Sequence, residues 1–202
     1  MSSEISYAYL ESTNYCNLSC SFCNREEVIS KLIHMPINKW RKLLNSIKHH
    51  PIKECKLMGM GEPFLHPQFD KVTEEFKNFF PDSKVVVATN CQYNIQPDSK
   101  MRRKFEDSLK YIDILYLSID GYKENYERDR SPAKWSKLIK FLKDLQSLDR
   151  DHCKIVINYV VNKQNIYDLP KIFAFLDKYN LEEFRINIAQ NWSEEESIYD
   201  NS

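Results

Sequence analysis

The sequence predicts a parallel α/β fold in which six strands curve into a partial (β/α)6 barrel. Six strand-like segments alternate with five helical ones along 202 residues, the order that builds a parallel sheet with right-handed crossovers. Apolar and polar residues alternate within the later strands, whereas a sheet buried on both faces would be apolar throughout. The polar positions gather toward strand C-termini, as in a barrel that carries a site at its top. A doubly wound open sheet is the alternative arrangement.

Strand one falls at residues 7–12, followed by a loop carrying Cys16, Cys20 and Cys23. The first helix, 36–50, opens on Pro36 and places Trp40, Leu43, Leu44 and Ile47 on one face. Strand two, 54–60, ends in Gly-Glu-Pro; helix two covers 67–80 and strand three is the apolar run 85–89. Helix three, 98–111, leads to strand four, 114–120, where Leu115, Leu117 and Ile119 oppose Tyr116, Ser118 and Asp120. Helix four spans 133–148, and strand five, 154–161, sets Asn158 among Val156 and Val160. Helix five covers 169–179, and strand six, 184–189, opposes Phe184, Ile186 and Ile188 to Arg185, Asn187 and Ala189. No repeat, low-complexity stretch or linker divides the chain, so a single domain over 1–202 is expected.

Only three residues are glycine, Gly59, Gly61 and Gly121, where ordinary usage would give roughly fourteen. A dinucleotide fingerprint needs three spaced glycines and a phosphate loop needs a glycine-rich turn ending in Gly-Lys, so both are excluded. Lys plus Arg and Asp plus Glu each total 29, leaving no net charge to attract nucleic acid or a membrane surface. The 42% hydrophobic and 13% aromatic content builds one sizeable core. No apolar run approaches the ~20 residues that cross a bilayer, and the first residues do not read as a secretory signal. Six cysteines in a cytoplasmic setting point to metal chemistry more than to disulfides where they are closely spaced.

The cysteine loop concentrates that chemistry. Cys16, Cys20 and Cys23 lie within eight residues, and a short loop can wrap an iron–sulfur cube with three thiolates. With three ligands rather than four, one iron keeps an open position, the distinction that separates catalytic from structural metal sites. Zinc is the competing occupant and would need a fourth ligand, for which His34 is the nearest later candidate.

The context of that loop resembles a known family. Residues 11–25, directly after strand one, resemble the cluster loop of the radical S-adenosylmethionine (SAM) superfamily. Gly59-Met-Gly61-Glu62-Pro63 resembles the family's glycine-glycine-glutamate-proline segment, with Met60 inserted between the two glycines. Thr89-Asn90 after strand three and Ser118 to Gly121 at the end of strand four continue the match in the family's order. The fold this implies is a partial TIM-like barrel lacking the last helix and any C-terminal extension.

The resemblance implies a [4Fe-4S] cluster on Cys16, Cys20 and Cys23, with SAM chelating the open iron. Reductive cleavage would then release a 5′-deoxyadenosyl radical that abstracts hydrogen from an organic substrate: a small metabolite, a nucleoside or a peptide. Phe22 matches the aromatic position beside the adenine. Gly59, Gly61, Glu62 and Pro63 match the methionine-binding turn, where a Cβ would obstruct the cofactor and Glu62 would orient the turn. Thr89, Asn90, Ser118, Asp120 and Asn158 are expected to line the SAM pocket. Asn158 otherwise needs a structural partner. Cys91 replaces a frequent family glycine and is either a hydrogen-atom donor or a small buried side chain.

Motif style is closest to the molybdenum-cofactor and peptide-maturase branches, but no second cysteine cluster suggests an auxiliary-cluster domain. The acidic run 194–196 and the end at Ser202 suit a minimal enzyme, a fragment or one half of a complex. Expected partners are an external one-electron reductant such as flavodoxin or ferredoxin, and a protein covering the open barrel edge. The competing functions are an electron-transfer or non-catalytic iron–sulfur protein and a zinc-stabilised binding module.

Overall fold

A computed structural model describes residues 3–188 except Asp151 and Glu182. Ala189, expected to close strand six, and the acidic run 194–196 lie outside the described residues. Six strands form one parallel sheet in chain order: β1 (Ile5–Tyr9), β2 (Ile52–Lys56), β3 (Lys84–Thr89), β4 (Ile114–Ser118), β5 (Lys154–Val161) and β6 (Glu183–Ile188). The sheet curls into a half-barrel that stays open between β1 and β6. Five longer helices return the chain between strands: α2 (Ile37–Ile47), α3 (Phe69–Phe79), α4 (Lys100–Leu109), α6 (Trp135–Gln146) and α7 (Leu169–Lys178).

One face of each inner strand packs on these helices, whereas the edge strands β1 and β6 are only partly covered and leave Ile186 and Ile188 exposed. Cys55, Val85, Val87, Leu115, Leu117, Ile155 and Ile157 are buried against Trp40, Leu44, Phe76, Phe105, Leu109 and Phe141, in one continuous core. Each fully buried side chain of that size contributes roughly 1.5–3 kcal/mol of transfer free energy. Trp40 loses no polar contact there, because its indole N–H donates to the Val72 carbonyl at 3.1 Å. The concave face is mixed: Val86 and Val156 are buried on it, while register places Tyr9 beside Lys56 and Ser118 beside Asn158.

The sequence reading misses two short helices, α1 (Arg25–Val28) and α5 (Glu124–Asp129), and 3-10 turns at Pro63–Leu65 and Ile166–Asp168. None is long enough to display a 3.6-residue period. Strands one, two and four end earlier than their hydrophobic patterns suggest. Past Tyr9, Lys56 and Ser118 the chain leaves the ladder to build the loops of the site.

Candidate active site

Four loops at strand C-termini converge. After β1, residues 10–24 form the cysteine loop, which is strapped to the segment following α5. Ser19 N–H donates to the Ser131 carbonyl at 2.7 Å and Ser21 N–H to the Asp129 carbonyl at 2.9 Å. Leu18 is buried in the core beneath, and Arg25 caps the Leu18 carbonyl at 3.2 Å. Cys16 and Cys20 are half-buried and Cys23 is exposed.

Two side chains aim donors at the sulfurs. The Asn90 amide lies 3.7 Å from Cys16 Sγ, and Arg130 Nη1 lies 3.9 Å from Cys20 Sγ. Burial raises the Cys16 thiol and pushes Cys20 up to about 11, Arg130 working against the second shift. The thiols must therefore shed protons when a metal binds.

Among the described residues no three metal-binding side chains gather on one ion. A single zinc ion would draw its thiolates to within ~3.8 Å of one another. An iron–sulfur cube takes one thiolate at each of separate corners and asks for wider spacing, and donors to its sulfurs are part of how proteins tune it. Three thiols with an amide and a guanidinium donor beside two of them suit a cube, whose sulfurs accept such bonds, better than a four-coordinate zinc for which no fourth ligand gathers among the described residues.

The turn after β2 is locked to both neighbours. Glu62 N–H donates to the Tyr15 carbonyl at 2.7 Å, and Gly61 N–H to Glu11 Oε1 at 2.9 Å. The buried Glu62 carboxylate accepts from Thr89 Oγ1 at 2.8 Å, Asn90 N–H at 2.7 Å and Phe64 N–H at 3.3 Å. Burial raises its pKa to about 7, while those three bonds and Arg130 oppose the shift. Glu62 thus ties the turn to the end of β3. The reason for glycine at 61 differs from the expected one. A Cβ there would lie 2.1 Å from the Thr13 carbonyl oxygen, so the obstruction is the chain's own cysteine loop.

Cys91, after β3, has φ 60°, the left-handed conformation that explains why glycine suits this position. Its thiol is fully buried, donates to the Thr89 carbonyl at 3.7 Å and is held well above the usual thiol range by burial. The structure places it in the core, with no exposed surface from which to meet a substrate.

After β4, Asp120 is fully buried and both oxygens are taken: Oδ2 by Arg130 at 2.5 Å, Oδ1 by the Val160 N–H at 2.6 Å. Asp120 is therefore committed to Arg130 and to the β5 backbone. Burial favours its neutral form, and the Arg130 charge opposes that shift. The Arg130 guanidinium also lies 5.5 Å from the centre of the Phe22 ring. Ser118 is buried, and its hydroxyl makes no hydrogen bond among the described residues. On β5, Asn158 Oδ1 accepts from Asn187 at 2.7 Å, so the partner its burial demands is at least partly structural.

Cys16, Cys20, Phe22, Glu62, Thr89, Asn90 and Asp120 thus belong to one connected network, with Ser118 at its edge. Sequence reasoning missed Arg130 and Glu11. Arg130 sits in a run that also contains the surface residue Arg128, and nothing local separates the two.

A cysteine loop after the first strand of a parallel half-barrel, tied to turns after the next three, defines a family. Residues 10–176 match the Radical SAM superfamily, and the chain belongs to it. It is 26% identical to the tungsten-containing aldehyde ferredoxin oxidoreductase cofactor-modifying protein of Pyrococcus furiosus, over 84% of this chain and 48% of that protein. It is also 26% identical to GTP 3′,8-cyclase of Clostridium perfringens, over 82% of this chain and 51% of that enzyme. The fold is similar to that of Streptococcus suis SuiB bound to S-adenosylmethionine, with TM-score 0.70 and 19% identity over 96% of this chain and 41% of that one. The chain spans about half the length of the curated relatives it matches.

Proposed function

We propose that the chain forms a single radical SAM core domain that binds a [4Fe-4S] cluster on Cys16, Cys20 and Cys23. The observation that carries this reading is the pair of donors, Asn90 and Arg130, aimed at two of the three sulfurs from the turns that would hold SAM. When bound, the cluster supplies the electron that cleaves SAM reductively to a 5′-deoxyadenosyl radical, which abstracts hydrogen from an organic substrate.

This chain's residues bind and orient. The backbone of Gly59 to Pro63 offers carbonyls to an ammonium group, with Glu62 fixing the turn through Thr89 and Asn90. Ser118, with its hydroxyl uncommitted, is the side chain best placed to meet SAM from β4, and Asn158 adds an amide from β5. Phe22 presents an apolar ring beside Arg130. Asp120 contributes indirectly, by pinning Arg130. An external one-electron reductant such as flavodoxin or ferredoxin completes the system in the cytoplasm, and a partner protein covers the open edge of the half-barrel.

Anaerobic reconstitution tests the reading. Loading with about four irons per chain and 5′-deoxyadenosine on reduction with SAM are expected. A loaded cluster that yields no 5′-deoxyadenosine would overturn the catalytic reading in favour of electron transfer. A colourless protein with one zinc would favour a binding module. Cys20→Ala should lose the cluster, and retention of full iron would defeat the ligand assignment.

A further inference from the structure

The concave face of the half-barrel carries two cations that nothing in the cofactor site uses. Lys56 on β2 and Arg185 on β6 form no ion pair among the described residues, whereas the acids that share their face are neutralised. Glu54 is paired with Lys84 at 3.8 Å, and Glu183 is paired with Lys154. Each free cation rests on a tyrosine of the same face. Lys56 Nζ donates to Tyr9 Oη at 2.9 Å and lies 4.9 Å from the centre of that ring. Arg185 Nη1 donates to Tyr116 Oη at 3.2 Å, with its guanidinium carbon 5.5 Å from the ring centre.

These contacts hold the cations in place without cancelling their charge. A guanidinium has five N–H donors and an ammonium three, so most remain available. Both phenol oxygens are already accepting, which leaves their O–H groups free to donate outward. The exposed rings of Tyr7 and Tyr9 add apolar surface beside them. Donors and rings without a competing carboxylate suit a planar or flexible ligand that ends in an oxyanion.

We propose that the concave face binds its organic substrate through a carboxylate or phosphate group captured by Arg185 beside Tyr116, with Lys56 beside Tyr9 as a second, separate cation of the same face. That the ligand is the substrate of hydrogen abstraction rests on the radical SAM reading; the anion site itself does not. Inorganic pyrophosphate and succinate, titrated separately by calorimetry into the reconstituted protein with SAM at low ionic strength, distinguish the two sources of the oxyanion. The expected result is that at least one binds, and that Arg185→Gln weakens it fivefold or more while Lys56→Gln weakens it less. Arg185→Lys should recover part of the loss, and Arg41→Gln, which removes an exposed ion pair on the outer helices, should bind as wild type. Failure of both probes to bind, or equal binding by Arg185→Gln and wild type, would overturn the site. Wild type that binds a probe yet forms no 5′-deoxyadenosine would keep the anion site and remove only the radical SAM reading.

Discussion

Replacing Gly61 by alanine tests how the cysteine loop and the Gly-Glu-Pro turn are fitted together. The added Cβ would lie 2.1 Å from the Thr13 carbonyl oxygen and 2.8 Å from Asn14 Cα, against the 3.0 Å below which real Cβ contacts essentially do not occur. Those are backbone atoms, and they cannot easily retreat. Thr13 Oγ1 is bonded to His34 Nδ1 at 2.7 Å, and the Asn14 side chain accepts from Ile33 N–H at 2.7 Å and donates to the Lys31 carbonyl at 2.9 Å. The turn must therefore move by about 1 Å, an overpacking that costs ~1–3 kcal/mol. That movement also breaks the bonds from Gly61 N–H to Glu11 and from Glu62 N–H to Tyr15, at ~1 kcal/mol each. The total of about 3–5 kcal/mol corresponds to a melting temperature lower by roughly 6–20 °C in a chain of this size.

Gly59→Ala is the matched control. Its Cβ would meet the Glu11 side chain, at 2.4 Å from Oε1 and 2.9 Å from Cβ; the carboxylate can rotate away for the loss of its bond to Gly61 N–H, about 1 kcal/mol, and the Cβ contact is only 0.1 Å inside the limit. Thermal melts of both variants, with iron content after reconstitution, read the difference. If Gly61→Ala melts with wild type, or Gly59→Ala loses as much, the fitted-backbone account fails.

Three further outcomes follow from the same network. Arg130→Gln strands the buried Asp120 carboxylate and should cost about 3–5 kcal/mol in urea unfolding. Adding Asp120→Asn should restore part of that stability but not the iron loading, and full loading in the double variant would show that Arg130 does not support the cysteine loop. Glu62 titrates near about 7 when folded and about 4.3 when unfolded, so the folded chain binds the extra proton between those values. Its contribution to stability therefore falls as pH rises through that window, and Glu62→Gln should remove this slope from urea midpoints. An unchanged slope would place the titration elsewhere. Before cluster assembly, iodoacetamide should label exposed Cys23 first and buried Cys91, Cys55 and Cys153 only on unfolding. Labelling of Cys91 as fast as Cys23 would return it to the candidate hydrogen-atom donors.

What could be read from the chain alone was whatever repeats or lies close in sequence. Strand and helix periods placed six strands and five helices in order, because burial of one face imposes a 2.0 or 3.6 residue period on each element. Three cysteines within eight residues marked out a candidate metal loop, because ligands to one centre can be supplied by one short segment. The tertiary structure decided matters between segments. Arg130 reaches Cys20 across 110 residues and Asp120 across ten, while the neighbouring Arg128 stays at the surface. Gly61 is glycine because Thr13 passes over it, and Cys91 adopts φ 60° where the chain turns away from β3. Lys56 and Arg185 share one concave surface only because the sheet curls. Period and spacing are local properties of a chain, whereas the partner of a buried charge and the space beside a Cα are set by elements that only the fold brings together.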